Sequence, residues 1–164
     1  MKIIIVLLFI FSLSAHALDE LSKTRLARLI RNRNKIIGVE FILATAPEQG
    51  PIYSKWGHAL IRFVTSDRFW KTDIVLGFVA DAAQDEKLSI KKALAHKYEV
   101  TMQLNTFEDT WKRYVIGENR PLVRYIIPTN KDERDSLINY VNQIAENPEL
   151  LGKYSFFNNN CATS

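Results

Sequence analysis

The chain contains a single cysteine, Cys161, so it cannot form an intramolecular disulfide. Secreted proteins that use cysteine structurally use it in pairs, which leaves three interpretations of an unpaired thiol: a buried spectator, an intermolecular bridge or a nucleophile. Three asparagines precede Cys161, and asparagine favours tight turns and helix N-caps, where backbone N–H groups lower the pKa of a thiol. The pattern favours a nucleophile, and a small buried hydrophobe beside Phe156 and Phe157 is the alternative.

The chain is also poor in residues that bind metals and phosphate. Its three histidines are His16, His58 and His96, and together with Cys161 they show none of the spacings of a zinc site. Glycine-rich phosphate loops are absent, and we expect neither a metal nor a cofactor. The basic residues are dispersed without interleaved aromatic residues, so the sequence does not indicate nucleic-acid binding.

A long apolar run occurs only at the start of the chain, and no later stretch approaches the roughly 20 apolar residues of a spanning helix. Lys2 is followed by an apolar segment at 3–13 and a small-residue site at 15–17, the features of a secretory signal. We expect residues 1–17 to be removed and residues 18–164 to form one exported domain. Loss of Lys2 takes the basic count from 22 to 21 against 18 acidic residues, and this net charge of +3 mildly favours anionic surfaces.

Hydrophobic periodicity predicts an α+β fold, with an antiparallel sheet and helices to one side of it. Strands are predicted at 36–46, 58–64, 73–80, 98–104 and 122–127. Helices are predicted at 19–32, 85–95 and 106–117, and from a Thr129 or Asn130 cap to Asn147-Pro148. The first helix is amphipathic and basic, which is typical either of a core helix with a solvated face or of a helix that lies on a membrane.

His58 begins a predicted strand directly after Gly57, a rigid place from which to present an imidazole, with Trp56 nearby to exclude water. A satisfied core histidine is the alternative. With Cys161, His58 suits a Cys–His dyad, in which the imidazole deprotonates the thiol and the thiolate attacks a carbonyl to form an acyl-enzyme. The two residues are far apart in the chain, so their proximity is an expectation.

Three segments together resemble the N-terminal periplasmic domain of the bacterial lipoprotein N-acyltransferases, the Lnb family. They are Ser54-Lys-Trp-Gly-His58-Ala-Leu-Ile-Arg62, Val75-Leu-Gly77-Phe and Tyr154-x-Phe-Phe-Asn-Asn-Asn-Cys161-Ala-Thr163. The order of the histidine strand before the Asn-Cys turn is also similar to permuted papain-like thiol enzymes of the NlpC and lecithin:retinol acyltransferase type.

The resemblance implies a permuted papain-like fold in the periplasm, associated with the inner membrane through peripheral contact. It implies that Cys161 takes an acyl chain from a phospholipid as a thioester, with His58 as base and then acid. The acyl chain would then pass from the thioester to an amine such as the N-terminus of a lipoprotein. Asn160, Ser54 and Arg62 are lesser candidates for substrate binding or the oxyanion site.

The chain departs from the family pattern because it stops three residues after Cys161, whereas family members continue with the helix that the cysteine begins. We therefore expect a truncated member whose activity is reduced or lost. A cell-wall amidase or peptidase with the same dyad, and a non-catalytic exported binding domain, are the alternatives. Asp73 and Asp81 are weak candidates for the group that orients His58.

We predict that export removes residues 1–17, because the Ala-His-Ala sequence ends at Ala17 and provides the small residues that signal peptidase needs. N-terminal sequencing of the periplasmic fraction should give a mature protein that begins at Leu18. A protein that still begins at Met1 and stays in the membrane would show that the segment is an anchor.

Overall fold

Six strands make one antiparallel sheet in the part of the chain that the computed structural model describes, residues 18–47, 57–67, 69–80 and 98–154. The strand order is β5-β1-β2-β3-β4-β6. The bounds are β1 Ile36–Ala44, β2 His58–Thr65, β3 Ile74–Ala80, β4 Tyr98–Thr106, β5 Leu122–Ile127 and β6 Lys153–Tyr154. The predicted α+β class is confirmed, and the predicted helix at 85–95 lies outside the described residues.

Three α-helices accompany the sheet: α1 Glu20–Arg31, α2 Phe107–Trp111, which continues as a π-helix over Lys112–Gly117, and α3 Lys131–Glu146. Their first turns follow the predicted caps. The side chain of Thr106 accepts a hydrogen bond from the Asp109 N–H, and Asn130 forms a reciprocal capping box with Glu133. The helix predicted at 106–117 is therefore present, but its second half is π-helical.

The helices cover both faces of the sheet. α1 and α3 pack on one face, where Leu29 and Ile138 join Phe63 in the main core. On the opposite face, Phe107 of α2 and Tyr114 of the π-helix belong to a second, smaller core. The expectation that all helices lie to one side is wrong for α2, because the chain leaves β4 and turns back over the second face.

Helix α1 is a core helix. Its Leu26 and Leu29 are buried, and the Ser22 hydroxyl accepts a hydrogen bond from the Leu104 N–H at the edge of β4. Arg25 of its basic face binds the Leu104 carbonyl and the Asp109 carboxylate. Within the described ranges, no helix is both long enough and apolar enough to cross a membrane.

Two glycines meet specific steric demands. Gly57 has a φ of +74°, and a Cβ there would lie 3.1 Å from the Ala44 carbonyl oxygen, so both the backbone conformation and the space favour glycine. A glycine inside a predicted strand, such as Gly77, indicates a bulge or a close neighbouring backbone. Both expectations are wrong here, because Gly77 pairs with Leu60 in a regular ladder and the close neighbour is a side chain: a Cβ on Gly77 would lie 2.7 Å from Leu60 Cδ2.

A buried ion cluster joins the three central strands on the second face. Arg62 of β2 donates to Asp73 Oδ2 from Nε at 2.9 Å and Nη2 at 2.5 Å, and to Glu40 Oε2 from Nη1 at 3.0 Å. The backbone N–H and hydroxyl of Thr65 donate to the other Asp73 oxygen. The side chains of Arg62 and Asp73 are 4% and 1% exposed, so each buried charge is stabilised by its partner and not by water.

We predict that Asp73→Ala lowers the free energy of unfolding by about 3–5 kcal/mol, because it leaves the Arg62 charge buried with one carboxylate instead of two. Urea denaturation at pH 7 would measure the change. Asp67→Ala is the matched control, since Asp67 pairs with Lys35 in solvent and its loss should cost at most about 1 kcal/mol. Equal effects of the two substitutions would contradict the prediction.

Candidate functional site

His58 faces a cleft on the second face of the sheet, where β2 begins. The side chain is half-buried, and its Nε2 lies 3.5 Å from the position that a Cβ on Gly77 would occupy. The absence of a side chain on β3 therefore leaves room for the imidazole. The cleft has a volume of about 270 Å³, and its far wall is polar, formed by Gln103, Asn105, Asp109, Thr110 and Arg113.

Tyr114 of the π-helix forms the aromatic wall beside His58. The two rings are stacked with centroids 5.9 Å apart and an interplanar angle of 29°. The guanidinium carbons of Arg113 and Arg120 lie 5.2 and 5.0 Å from the Tyr114 centroid. Short π-helical segments are frequent at functional sites, and this one brings the Tyr114 ring and the Arg113 cation to the imidazole, with Arg120 following three residues after its end.

Arg120 holds the end of the π-helix against the sheet. It is buried and donates to the carbonyls of Ala44 and Thr45 at 2.9 and 2.7 Å. Glu118 accepts hydrogen bonds from both Arg120 and Arg113, so one carboxylate bridges the two guanidinium groups. The arrangement keeps a net positive charge close to His58.

The surroundings of His58 disfavour its charged form. Burial, together with the positive charges of Arg113 and Arg120, lowers the pKa of His58 from 6.5 to about 4, and Glu118 opposes the shift. At neutral pH the imidazole is therefore neutral, with a lone pair able to accept a proton. A general base must be neutral before it accepts a proton, but a pKa this low makes His58 a weaker base than an ordinary histidine.

The other predicted site residues are distributed as follows. Arg62 lies in the buried ion cluster and also lines a second cavity on the same face. Ser54, Asn160 and Cys161 lie outside the described residues, so the dyad stays a prediction.

The structure also bears on the group that should orient His58. Asp73 is engaged by Arg62 and Thr65, and Asp81 lies outside the described residues. In the described part of the chain, no group of three His, Cys, Asp or Glu side chains could hold a metal ion.

Sequence reasoning missed the residues that set the environment of His58, namely Tyr114, Arg113, Arg120 and Glu118. They lie more than fifty positions from His58 in the chain, and no local pattern links them to it. The one sequence signal at this cleft is Gly77, an isolated glycine within a predicted strand.

Comparison with protein families gives one match. The model described as the Lnb N-terminal periplasmic domain matches residues 26–164, most of the chain. The match includes both His58 and Cys161 and confirms the resemblance that the motifs indicated. Comparison with the curated proteins and with the solved structures gave no match.

We predict that the imidazole of His58 titrates with a midpoint near pH 4, and that Arg113→Met raises that midpoint by about 1 unit by removing a nearby positive charge. Nitrogen-15 NMR of the imidazole would measure it. A His96→Gln background leaves His58 as the one histidine of the mature chain. Arg31→Met on α1 is the control and should leave the midpoint unchanged.

The same shift makes stability depend on pH. Unfolding returns the imidazole to its ordinary pKa of 6.5, so between pH 6.5 and about 4 the unfolded chain binds more protons than the folded one. The free energy of unfolding should fall as pH falls through this window, and His58→Gln should remove that contribution. A midpoint near 6.5 in the folded protein would contradict both expectations.

Proposed function

Because the chain belongs to the Lnb N-terminal periplasmic domain family, we propose that it is a periplasmic cysteine-dependent acyltransferase domain. The observation that carries the proposal is the family match over residues 26–164, which holds the imidazole of His58 and the thiol of Cys161. The reaction would move an acyl chain from a phospholipid through a cysteine thioester to an amine, such as the N-terminus of a lipoprotein.

The sheet topology supports the approach of the two residues. In the antiparallel pairing of β2 with β3, Leu60 lies opposite Gly77. Because His58 comes two residues before Leu60, it lies at the level of the last residues of β3. The first residues of β4 and the short strand β6 lie at this same end of the sheet, where Tyr98 pairs with Tyr154. The described chain thus ends at Tyr154 near the end of the sheet that carries His58.

The remaining distance is within reach of the chain. Three strand spacings separate β6 from β2, about 14 Å, and the offset along the strands is about 10 Å, which together give about 17 Å. Seven extended residues from Tyr154 to Cys161 span at most about 25 Å. A contact of roughly 4 Å between the sulfur and the imidazole, as a dyad requires, is therefore possible without rearranging the sheet.

In the first half of the reaction, the neutral His58 imidazole accepts the proton of the Cys161 thiol as the sulfur attacks the ester carbonyl of the phospholipid. The resulting tetrahedral intermediate collapses by breaking the ester C–O bond, and the leaving alkoxide takes the proton from the imidazolium. A thioester and a lysophospholipid result. A low imidazole pKa favours this second transfer, because an imidazolium in these surroundings releases its proton readily.

In the second half, the amine attacks the thioester carbonyl, and the C–S bond breaks to give an amide. His58 accepts the proton that the amine loses, and that proton returns to the sulfur. The polar wall of the cleft, with the amide side chains of Gln103 and Asn105, supports an acceptor whose reacting group forms hydrogen bonds.

We predict that the exported chain incubated with phospholipid gains the mass of one acyl group, and that hydroxylamine removes it, because a thioester is labile to this nucleophile. Intact-mass spectrometry would measure the adduct. Cys161→Ser should abolish it and His58→Ala should lower its rate by about 10²-fold or more. The two losses should overlap in the double variant, because residues that serve one covalent step fail as a unit.

Matched controls separate the proposal from its rivals. Ser155→Ala, which alters a small residue near the motif, should leave the adduct intact. Cleavage of purified peptidoglycan without acylation by phospholipid would favour the amidase or peptidase alternative. A thiol that reacts with iodoacetamide only above about pH 8, with no adduct from any donor, would favour the non-catalytic binding domain.

A further inference from the structure

A second cavity, of about 550 Å³, lies on the same face of the sheet as the His58 cleft, against the other side of the helical segment 107–117. Its walls are mainly aromatic and aliphatic, formed by Trp70, Phe107, Trp111, Val115 and Leu122. Its volume falls within the range of about 300–1,000 Å³ that is typical of ligand sites. Walls of this composition favour the binding of a hydrocarbon group.

Arg62 also borders this cavity, but its charge is already compensated. Its guanidinium is held by the carboxylates of Asp73 and Glu40 and stacks on Phe107, with its carbon 4.2 Å from the ring centroid. The interior of the cavity therefore does not require an anionic ligand. An uncharged, apolar group is the better match for its inner part.

The rim of the cavity exposes large apolar side chains to solvent. Trp70 and Trp111 are wall residues that are nevertheless 48% and 40% exposed. Phe69, the residue before Trp70 in the chain, is 75% exposed, and Ile116, the residue after Val115, is 66% exposed. Two exposed tryptophans that line one cavity indicate an interaction site, and tryptophan in particular favours the boundary between lipid headgroups and acyl chains.

Basic side chains accompany this apolar rim. Lys71 has its ammonium nitrogen 6.0 Å from the Trp70 ring centroid, and Lys112 follows Trp111 directly. Both lysines contact the same carboxylate, Glu108, at 4.0 and 3.0 Å, so one positive charge is left over. Arg124 lines the cavity with a half-exposed side chain and lies 3.5 Å from Glu40, the carboxylate that also binds Arg62. Aromatic residues bordered by basic side chains, with one positive charge in excess, match a bilayer of anionic phospholipid.

We propose that this surface, which we call the aromatic face, binds a bilayer rich in anionic phospholipid. The aromatic face comprises Phe69, Trp70, Lys71, Trp111, Lys112, Ile116 and Arg124. Its apolar side chains enter the headgroup boundary, its cations meet lipid phosphates, and the cavity receives part of one acyl chain. The positive net charge of the chain also favours its approach to an anionic bilayer.

This inference names the lipid-contacting surface of the proposed acyltransferase, and the acyl-chain part of it rests on that proposed function. Binding to the bilayer itself requires neither Cys161 nor His58. The aromatic face and the His58 cleft flank one helical segment, so a lipid bound at the first would lie beside the second.

The test measures co-sedimentation of the mature protein, purified from the periplasm, with vesicles of phosphatidylglycerol and phosphatidylcholine or of phosphatidylcholine alone. Lys71→Gln and Lys112→Gln should each weaken binding to the anionic vesicles about fivefold. Trp70→Ser with Trp111→Ser should weaken it at least tenfold. Urea denaturation of each variant would verify that it is folded.

Control variants lie on the opposite face of the molecule. Leu21→Ser with Tyr140→Ser removes two apolar side chains that are more exposed than Trp70 and Trp111, and Lys131→Gln removes an exposed lysine of α3. None of these should change vesicle binding. In a Trp56→Phe background, vesicles with brominated acyl chains should quench the fluorescence of Trp70 and Trp111.

Three outcomes would overturn the inference. They are the absence of binding to anionic vesicles, equal binding by the aromatic-face variants and the control variants, and a dimer in sedimentation equilibrium that the aromatic-face variants abolish. Failure of the inference is distinguishable from failure of the proposed function. If the protein does not bind vesicles but still forms the acyl adduct with a soluble short-chain donor, only the proposed bilayer surface is overturned. If it binds vesicles normally but never forms an acyl adduct, only the proposed enzymatic function is overturned.

Discussion

The buried cluster of Arg62, Asp73 and Glu40 is the interaction on which the second face of the sheet depends. It joins β1, β2 and the entrance of β3 through charges that have almost no access to water. Phe107 covers the guanidinium and so places α2 over the sheet. Loss of one member would leave buried charge without its partner, and the free-energy cost of that state is much larger than the cost of losing an exposed pair. The cluster therefore sets where the helical segment 107–117 can lie.

The position of this segment divides the second face into two regions with different chemistry. On one side, Thr110 and Tyr114 border the polar cleft of His58, and on the other, Phe107 and Trp111 border the aromatic cavity. A thiol acyltransferase needs both kinds of surface, since its acyl donor is apolar and its acceptor amine is polar. The π-helical half of the segment brings Tyr114 against the imidazole. The proposed reaction and the proposed bilayer contact thus use opposite sides of one structural element.

Most elements of the fold could be predicted from local patterns. The alternation of apolar residues located the strands, Thr106 and Asn130 had the chemistry of helix caps, and Gly57 stood where positive φ is required. Each of these signals depends on neighbours within a few positions. The predictions failed for features that residues distant in the chain determine, namely the side of the sheet that α2 covers and the π-helix. The reason for a glycine at position 77 is likewise the Leu60 side chain of the adjacent strand.

The sequence by itself determined the α+β class, the helix starts, the family and the choice of His58 and Cys161 as residues of interest, because hydrophobic periodicity, capping and motifs are properties of consecutive residues. The tertiary structure alone decided that Arg62 is an ion-pair partner of two carboxylates and that the pKa of His58 lies well below its ordinary value. Both facts arise from Coulomb interactions and desolvation, which depend on distances in space. Residues such as Arg120 and Glu40 are far from their partners in the chain and become neighbours only when the strands pair.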